Sequence, residues 1–299
     1  MDILTIKQLR KSFGDKQVLR GLDLTVPEHS VFGFVGRNGA GKTTTMKAVL
    51  GLLKPDGGEV YVAGERVEFG QTATNRYIGY LPDVPEFYGF MTATEYLRLC
   101  GESLHMEKGE IEARSRELLS LVGLESETHR IKGYSRGMKQ RLGIAQALIG
   151  RPKLLICDEP TSALDPIGRR EILEVLLSVR EQTTVLFSTH ILSDVERICT
   201  DIALLHDGQI AMQGSVDVLK RARRAEEFVV ELMDGGDTEG LLRAFENARR
   251  GDRDTVIFRG NEEEMAAVLD YVRRSGLSLR RMERAESSIE SLFMEVVKK

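Results

Sequence analysis

Gly36-Arg37-Asn38-Gly39-Ala40-Gly41-Lys42-Thr43 fits the pattern of Gly, four residues, Gly-Lys and then Ser or Thr. Before it, the apolar run Val31-Phe32-Gly33-Phe34-Val35 predicts a buried strand. After it, Met46, Val49, Leu50 and Leu53 recur at helical spacing and predict a helix from Lys42 to Leu53, stopped by Lys54-Pro55. Strand, Gly-rich turn and helix in that order aim a helix N-terminus and several backbone amides at one point, as the β- and γ-phosphates of a nucleotide require. Glycines suit a loop that is crowded or must adopt positive φ. The candidate nucleotide contacts are therefore Gly36, Arg37, Asn38, Gly39, Ala40, Gly41, Lys42, Thr43 and Thr44. Lys42 supplies compensating charge, Thr43 can offer its hydroxyl to Mg²⁺, and Thr44 can touch phosphate. A merely flexible turn would not need the strand and helix flanks.

On the N-terminal side, Ile3 to Ile6 and Val18 to Val26 read as strands around the turn Phe13-Gly14-Asp15. From about Thr92 to Gly150 the pattern becomes helical, with amphipathic segments at Thr94 to Cys100, Glu107 to Val122 and Gly137 to Ile149. Strands and helices then alternate: Leu154 to Cys157, Gly168 to Val179, Thr184 to Ser188, Ile191 to Cys199, and Ile202 to Leu205 with Gln209 to Gln213 about Asp207-Gly208. Such alternation predicts a mostly parallel core sheet. The basic run Lys220-Arg221-Ala222-Arg223-Arg224 marks the expected boundary between domains 1–220 and 221–299. Beyond it, strands are expected at Glu227 to Met233, Asp254 to Arg259 and Ser278 to Glu283. Helices are expected at Leu241 to Ala248, Glu262 to Ser275 and Ser288 to Val297.

The 299 residues suffice for two domains with real cores. Charged residues make up 29%, with 42 basic against 46 acidic and a net charge of -4, the balance of an ordinary soluble surface that calls for no nucleic-acid partner. Cys100, Cys157 and Cys199 lie far apart among apolar neighbours, which suits reduced core thiols. No uncharged apolar run approaches a membrane span, and the N-terminus lacks a leader pattern. A cytoplasmic chain, held at a membrane only through a partner, is expected.

Leu154-Leu155-Ile156-Cys157-Asp158-Glu159 ends an apolar run in two acids, at the strand edge where open α/β sheets bind ligands. Such a pair is often just a solvated strand end. Beside a phosphate loop it suggests divided labour, with Asp158 anchoring the Mg²⁺ shell and Glu159 polarising the water that attacks the γ-phosphate.

Many nucleotide hydrolases share those two features, and Tyr134-Ser135-Arg136-Gly137-Met138-Lys139-Gln140-Arg141 narrows the choice. Ser135 can cap a helix whose apolar stripe runs Met138, Leu142, Ala145 and Ile149, leaving first-turn amides free for an anion. With Asp158-Glu159 after that helix, then Ser162-Ala163-Leu164-Asp165 and His190, the order and spacing resemble the ATPase domain of ABC transporters over roughly residues 1–220. The resemblance implies a P-loop NTPase core of α/β class, an antiparallel β subdomain, a helical subdomain at about 92–150, and a small C-terminal α+β domain besides. It also implies a head-to-tail dimer that sandwiches ATP and Mg²⁺, each nucleotide held in trans by Ser135, Arg136 and Gly137 of the other subunit. Phe13 stands where the family stacks an aromatic on adenine, Asp165 in the loop that communicates across the dimer, and His190 at the switch histidine.

Two departures stand out. The signature reads Tyr-Ser-Arg-Gly-Met rather than Leu-Ser-Gly-Gly-Gln, and Asp83 in Tyr80-Leu81-Pro82-Asp83 replaces the glutamine that links Mg²⁺ to the permease. Asp83 still accepts from a metal-bound water but is shorter and anionic. Together with the appendix ending Ser287-Ser288-Ile289-Glu290-Ser291-Leu292-Phe293, these variants are similar to bacterial exporters of drugs, peptide antibiotics, lipids or sodium, bacitracin-resistance ATPases above all. The implied partners are an integral-membrane permease and a second ATPase subunit, identical or related. A soluble ABC protein of ribosomes or DNA would need two cassettes or a long coiled-coil insertion, and neither is present. A phosphotransferase would have no use for Ser135 to Arg141. A cassette that binds without turnover would not need both Glu159 and His190.

Overall fold

The computed structural model describes residues 1–71, 73–221, 227–233, 238–251, 254–284, 289–290 and 293. The chain divides into two compact units, one ending at Ser215 and the other beginning at Val216.

In the first unit, β1 (Asp2–Phe13), β2 (Lys16–Pro27), β4 (Gly57–Val62) and β5 (Glu65–Arg66) form an antiparallel sheet in the order β2-β1-β4-β5. The second sheet runs β10-β9-β3-β8-β7-β6, from β3 (Val31–Gly36), β6 (Ile78–Leu81), β7 (Leu154–Cys157), β8 (Thr184–Thr189), β9 (Asp201–His206) and β10 (Gln209–Ser215). It is parallel except for the terminal hairpin β9–β10. β3, β7 and β8 are buried along their whole length, which is why their sequences are continuous apolar runs and not alternating ones. Phe32 and Phe34 of β3 join a core with the antiparallel sheet and α1 (Lys42–Val49). Leu155 and Cys157 of β7 face the other way, into a core closed by helices.

Those helices are α2 (Ala93–Ser103), α3 (Lys108–Leu121), α4 (Arg136–Leu148) and α5 (Pro166–Ser178), with α6 (Leu192–Ile198) following β8. A capping box of Thr92 and Glu95 starts α2, and the Ser135 and Asp165 side chains cap α4 and α5. α4 lies hard against β6: a Cβ on Gly79 would sit 2.1 Å from the Ala147 carbonyl oxygen, so this close approach needs glycine.

The second unit holds α7 (Val216–Arg221), then β11 (Glu227–Leu232), α8 (Thr238–Ala244), β12 (Ala248–Arg250), β13 (Thr255–Arg259), α9 (Glu262–Arg274) and β14 (Leu279–Arg284). From β11 onward the order βαββαβ, with an antiparallel sheet β12-β13-β11-β14, is a ferredoxin-like unit. Phe228 and Phe258 stack at its centre, ring centroids 5.1 Å apart, over Leu241, Val268 and Val272.

Two expected helices end early. The helix expected to reach Leu53 ends at Val49, with Leu50 and Gly51 closing back on Met46 and Ala48. The helix expected over Leu241 to Ala248 instead ends at Ala244, and Ala248 begins β12. Phe245 still donates its amide to the Leu241 carbonyl and packs edge-on to Phe258 and Tyr271, after which the Ala248 amide closes a turn on the Phe245 carbonyl. The segment Ser288 to Val297 lies mostly outside the described residues.

Candidate active site

The phosphate-type loop follows β3, an inner strand of the mostly parallel sheet, and delivers Lys42 at the first position of α1. Gly41, the residue before, has φ 115, and a Cβ there would come 2.8 Å from Leu19 Cδ2. The backbone angle strains any residue with a side chain, and a Cβ would also press on the tip of Leu19. Lys42 is buried, and its Nζ donates to the Gly36 carbonyl at 2.6 Å and the Arg37 carbonyl at 3.3 Å.

The acids at the end of β7 meet this loop across β8, which lies between β7 and β3. Asp158 is 3% exposed; its Oδ2 accepts from Thr43 Oγ1 at 2.7 Å and its Oδ1 from Ser188 Oγ at 2.6 Å. Glu159 Oε1 pairs with Lys42 Nζ at 3.0 Å, and Glu159 Oε2 lies 2.9 Å from His190 Nδ1. Toward an ionised carboxylate that contact needs the proton on Nδ1. The Glu159 amide donates to Ser188 Oγ at 2.9 Å, so one buried hydroxyl serves both acids. Beneath them, burial and the Asp158 charge push the Tyr80 phenol up to about 12, keeping it neutral at working pH. Further along, Thr161 Oγ1 donates to Asp194 Oδ2 at 2.7 Å, and burial raises the Asp194 carboxyl despite that bond.

A cleft of about 400 Å³ opens over this floor, lined by Asn38, Gly39, Gly41, Lys42, Thr43, Thr44, Asp83, Glu159 and His190, with Val18 and Ser162. Gly36, Arg37 and Ala40 build the loop behind it: Gly36 and Arg37 hold Lys42 through their carbonyls, and the Ala40 amide donates back to Arg37. Ser162 opens the loop quoted from the sequence with Asp165, whereas Val18 and Ser188 carry no such signal. Nothing in the spacing of those two marks them, since each reaches the site only through strand pairing.

Other candidates stand apart from the cleft. Phe13 is exposed at the β1–β2 turn, with Lys11 Nζ 5.5 Å above its ring. Ser135 Oγ accepts from the Met138 amide at 3.2 Å as the cap of α4, and Gly137 lies in that first turn. Arg136 reaches Asp83, Nη2 to Oδ1 at 3.5 Å, while the fully buried Gln140 donates to the Asp83 carbonyl at 2.6 Å. Asp83 thus ties the cleft to the start of α4. Asp165 caps α5 through the Gly168 amide at 2.7 Å.

The ABC transporter family model matches residues 19–162, from β2 past the paired acids. YxlF of Bacillus subtilis, an uncharacterized ABC transporter ATP-binding protein, is 36% identical over 305 residues, covering 99% of each chain. The bacitracin transport ATP-binding protein BcrA of Bacillus licheniformis is 38% identical over 226 residues, 74% of this chain and 72% of that protein. A solved structure of the ATP binding subunit of an ABC transporter superposes with TM-score 0.66 at 32% identity, covering 74% of this chain and 92% of the other.

Proposed function

The chain belongs to the family of ABC transporter ATP-binding proteins, whose cassette hydrolyses ATP to power transport, and on that premise we propose that two such subunits, joined head to tail, drive a separate membrane permease. The observation that carries the reading is the meeting of Lys42, Glu159 and His190 on a cleft floor whose wall is the phosphate loop. Lys42 and the loop amides bind the β- and γ-phosphates. Glu159 takes the proton of the attacking water, and His190 orients that carboxylate from its other side. Thr43 and Asp158 would hold Mg²⁺, with Asp83 at the rim; hydroxyl and carboxylate oxygens are the donors this hard cation prefers. When bound, Mg²⁺ supplies charge neutralisation at the phosphates. Asp158 is fixed for such a task by Ser188 and Thr43. Phe13 is assigned to the adenine on the resemblance alone.

Ser135, Arg136 and Gly137 do not line their own chain's cleft, so any phosphate they hold must belong to another subunit. That supports the sandwich and gives Asp165 a place in communication between subunits. The permease reading draws on a groove of about 440 Å³ lined by Asp83, Pro85, Phe87 and Arg136, beside the exposed Val84, Tyr88 and Phe90. Exposed apolar side chains next to a groove mark a protein contact. No helix among the described residues is long and apolar enough to cross a membrane, and we assign that task to the permease, with this subunit peripheral at the inner face. Relatives named for bacitracin transport support export of a drug, peptide antibiotic, lipid or ion.

The test compares purified protein with its Glu159→Gln variant in Mg²⁺-ATP, reading hydrolysis and oligomeric state. Hydrolysis by the parent and an ATP-dependent dimer trapped by the variant are expected. A parent that neither hydrolyses nor dimerises refutes a self-sufficient homodimer.

A further inference from the structure

In the ferredoxin-like unit α8 and α9 cover one face of the sheet, and among the described residues of the other face Val229 and Ile257 are partly exposed. We infer that this second face is where two copies of the chain join without nucleotide, an inference that rests on the reading that the chain works in pairs. Strand alternation sorts the side chains. Phe228, Val230 and Leu232 of β11 and Val256 and Phe258 of β13 are buried under the helices, so Glu227, Val229, Glu231, Ile257 and Arg259 point to the opposite face. Strand register carries the division across the sheet. Arg249 of β12 pairs with Ile257, Ile257 with Val229, and Val229 with Glu283 of β14.

The middle row of the face therefore reads Arg249, Ile257, Val229, Glu283: a cation, two aliphatic groups and an anion. Beside it, Arg259 pairs with Glu227 on the neighbouring strand. Such a pattern is antisymmetric from edge to edge. A two-fold axis lying in the interface parallel to the strands sets β12 of one copy over β14 of the other and β13 over β11. Arg249 then faces the second copy's Glu283 and Ile257 its Val229, each contact occurring twice, as an isologous interface demands. An axis across the strands would instead oppose Arg249 to Arg249 and Glu227 to Glu231. The charge pattern thus selects one arrangement of the two sheets, of the aligned face-to-face kind. In the single chain the outer charges are solvated, with side-chain exposures of 61% for Arg249 and 50% for Glu283. Arg249 leans on Glu227 at 3.0 Å and Glu283 on Arg281 at 3.0 Å, so both are already held over the face.

Sedimentation of the full chain without nucleotide, across a micromolar concentration series, tests this. The parent should dimerise; Glu283→Arg should weaken the dimer by more than about tenfold, because it sets like charges together twice; and Arg249→Glu, the reciprocal reversal, should do the same. The double reversal Arg249→Glu/Glu283→Arg recreates the antisymmetric row and should restore the dimer. Melting temperatures of all four proteins identify any variant that fails to fold, and the double reversal decides the matter even if one single variant does. A nucleotide-free parent that stays monomeric, or a double reversal no better than the single ones, overturns the inference. Glu159→Gln with ATP separates it from the sandwich: an ATP-trapped dimer that persists with Glu283→Arg leaves the sandwich standing whatever the second face does.

Discussion

Ser188 is fully buried, and its hydroxyl donates to Asp158 Oδ1 at 2.6 Å while accepting from the Glu159 amide at 2.9 Å. Ser188→Ala removes both bonds and leaves a carboxylate oxygen and a backbone N–H facing a methyl group. A hydrogen bond to a charged acceptor is worth about 1.5–3 kcal/mol and a stranded buried donor costs about 1–3, so their overlapping loss should be about 2–4 kcal/mol. For a domain of this size each kcal/mol moves Tm by about 2–4 °C, which places the expected fall near 5–10 °C in calorimetry. Catalysis should suffer separately. With its amide released, Glu159 keeps only the Lys42 and His190 contacts of its carboxylate, whereas Lys42 and the loop are untouched; kcat should fall by about tenfold or more with KM for ATP nearly constant. Ser188→Thr keeps the hydroxyl but adds a methyl to a filled site, so it should recover kcat more fully than Tm. A Ser188→Ala protein with Tm within about 1 °C and kcat within about twofold of the parent would refute the idea that this hydroxyl positions the two acids.

Asp83→Ala should lower ATPase and transport rates about tenfold by changing coupling geometry. The Asp83–Arg136 pair is nearly half exposed, so stability should fall by under about 1 kcal/mol; equal rates in variant and parent would sink the assignment. Asp194 has its carboxyl raised by burial, so its neutral form favours the fold: that stability is complete below the unfolded value of 3.8 and is lost as pH rises through the folded value. Asp194→Asn keeps an acceptor for Thr161 without that loss, and its Tm relative to the parent should rise from acid to neutral pH; a pH-independent difference counts against it. Gly41→Ala should weaken ATP binding, because φ 115 strains a residue with a side chain and a Cβ would come 2.8 Å from Leu19, and near-parental nucleotide affinity would contradict this. Burial pushes the Cys157 thiol up, so it should not react with a thiol reagent at mildly alkaline pH until the protein unfolds; fast labelling of Cys157 in native protein refutes its burial.

What the sequence discloses here is what is local. The loop at Gly36 to Thr43 is legible because strand, turn and helix are contiguous and each has its own period. The paired acids and the cap at Ser135 are legible for the same reason. β6 is not, since Ile78 to Leu81 is four residues long and becomes a strand by pairing with β7. Ser188 looks like one more small residue on a buried strand, and only the placement of β8 beside β7 turns it toward Asp158. Arg136 as the partner of Asp83 is equally silent, because the two lie far apart in sequence and meet only when α4 packs on β6. The ferredoxin-like order was half visible: its strands β11, β13 and β14 have clear patterns, but β12 is three residues of Ala-Arg-Arg, and without it neither the sheet order nor the second face can be drawn.

The different tasks of two neighbouring acids follow from one backbone angle. Successive side chains of a strand point to opposite faces, so Asp158 and Glu159 would be separated by the sheet if β7 simply continued. Asp158 still obeys the ladder, its amide donating to the Leu81 carbonyl at 2.8 Å. Glu159 does not: its φ is 48, in the left-handed region that costs a residue with a side chain about 1 kcal/mol or more. The Ser188 hydroxyl on its amide, Lys42 and His190 on its carboxylate hold it there. The reversal swings the Glu159 carboxylate back to the edge where Asp158 already meets Thr43. Asp158 is enclosed and doubly bonded, whereas Glu159 lines the cleft. An acid in ordinary strand geometry at position 159 would keep the charge and lose the site.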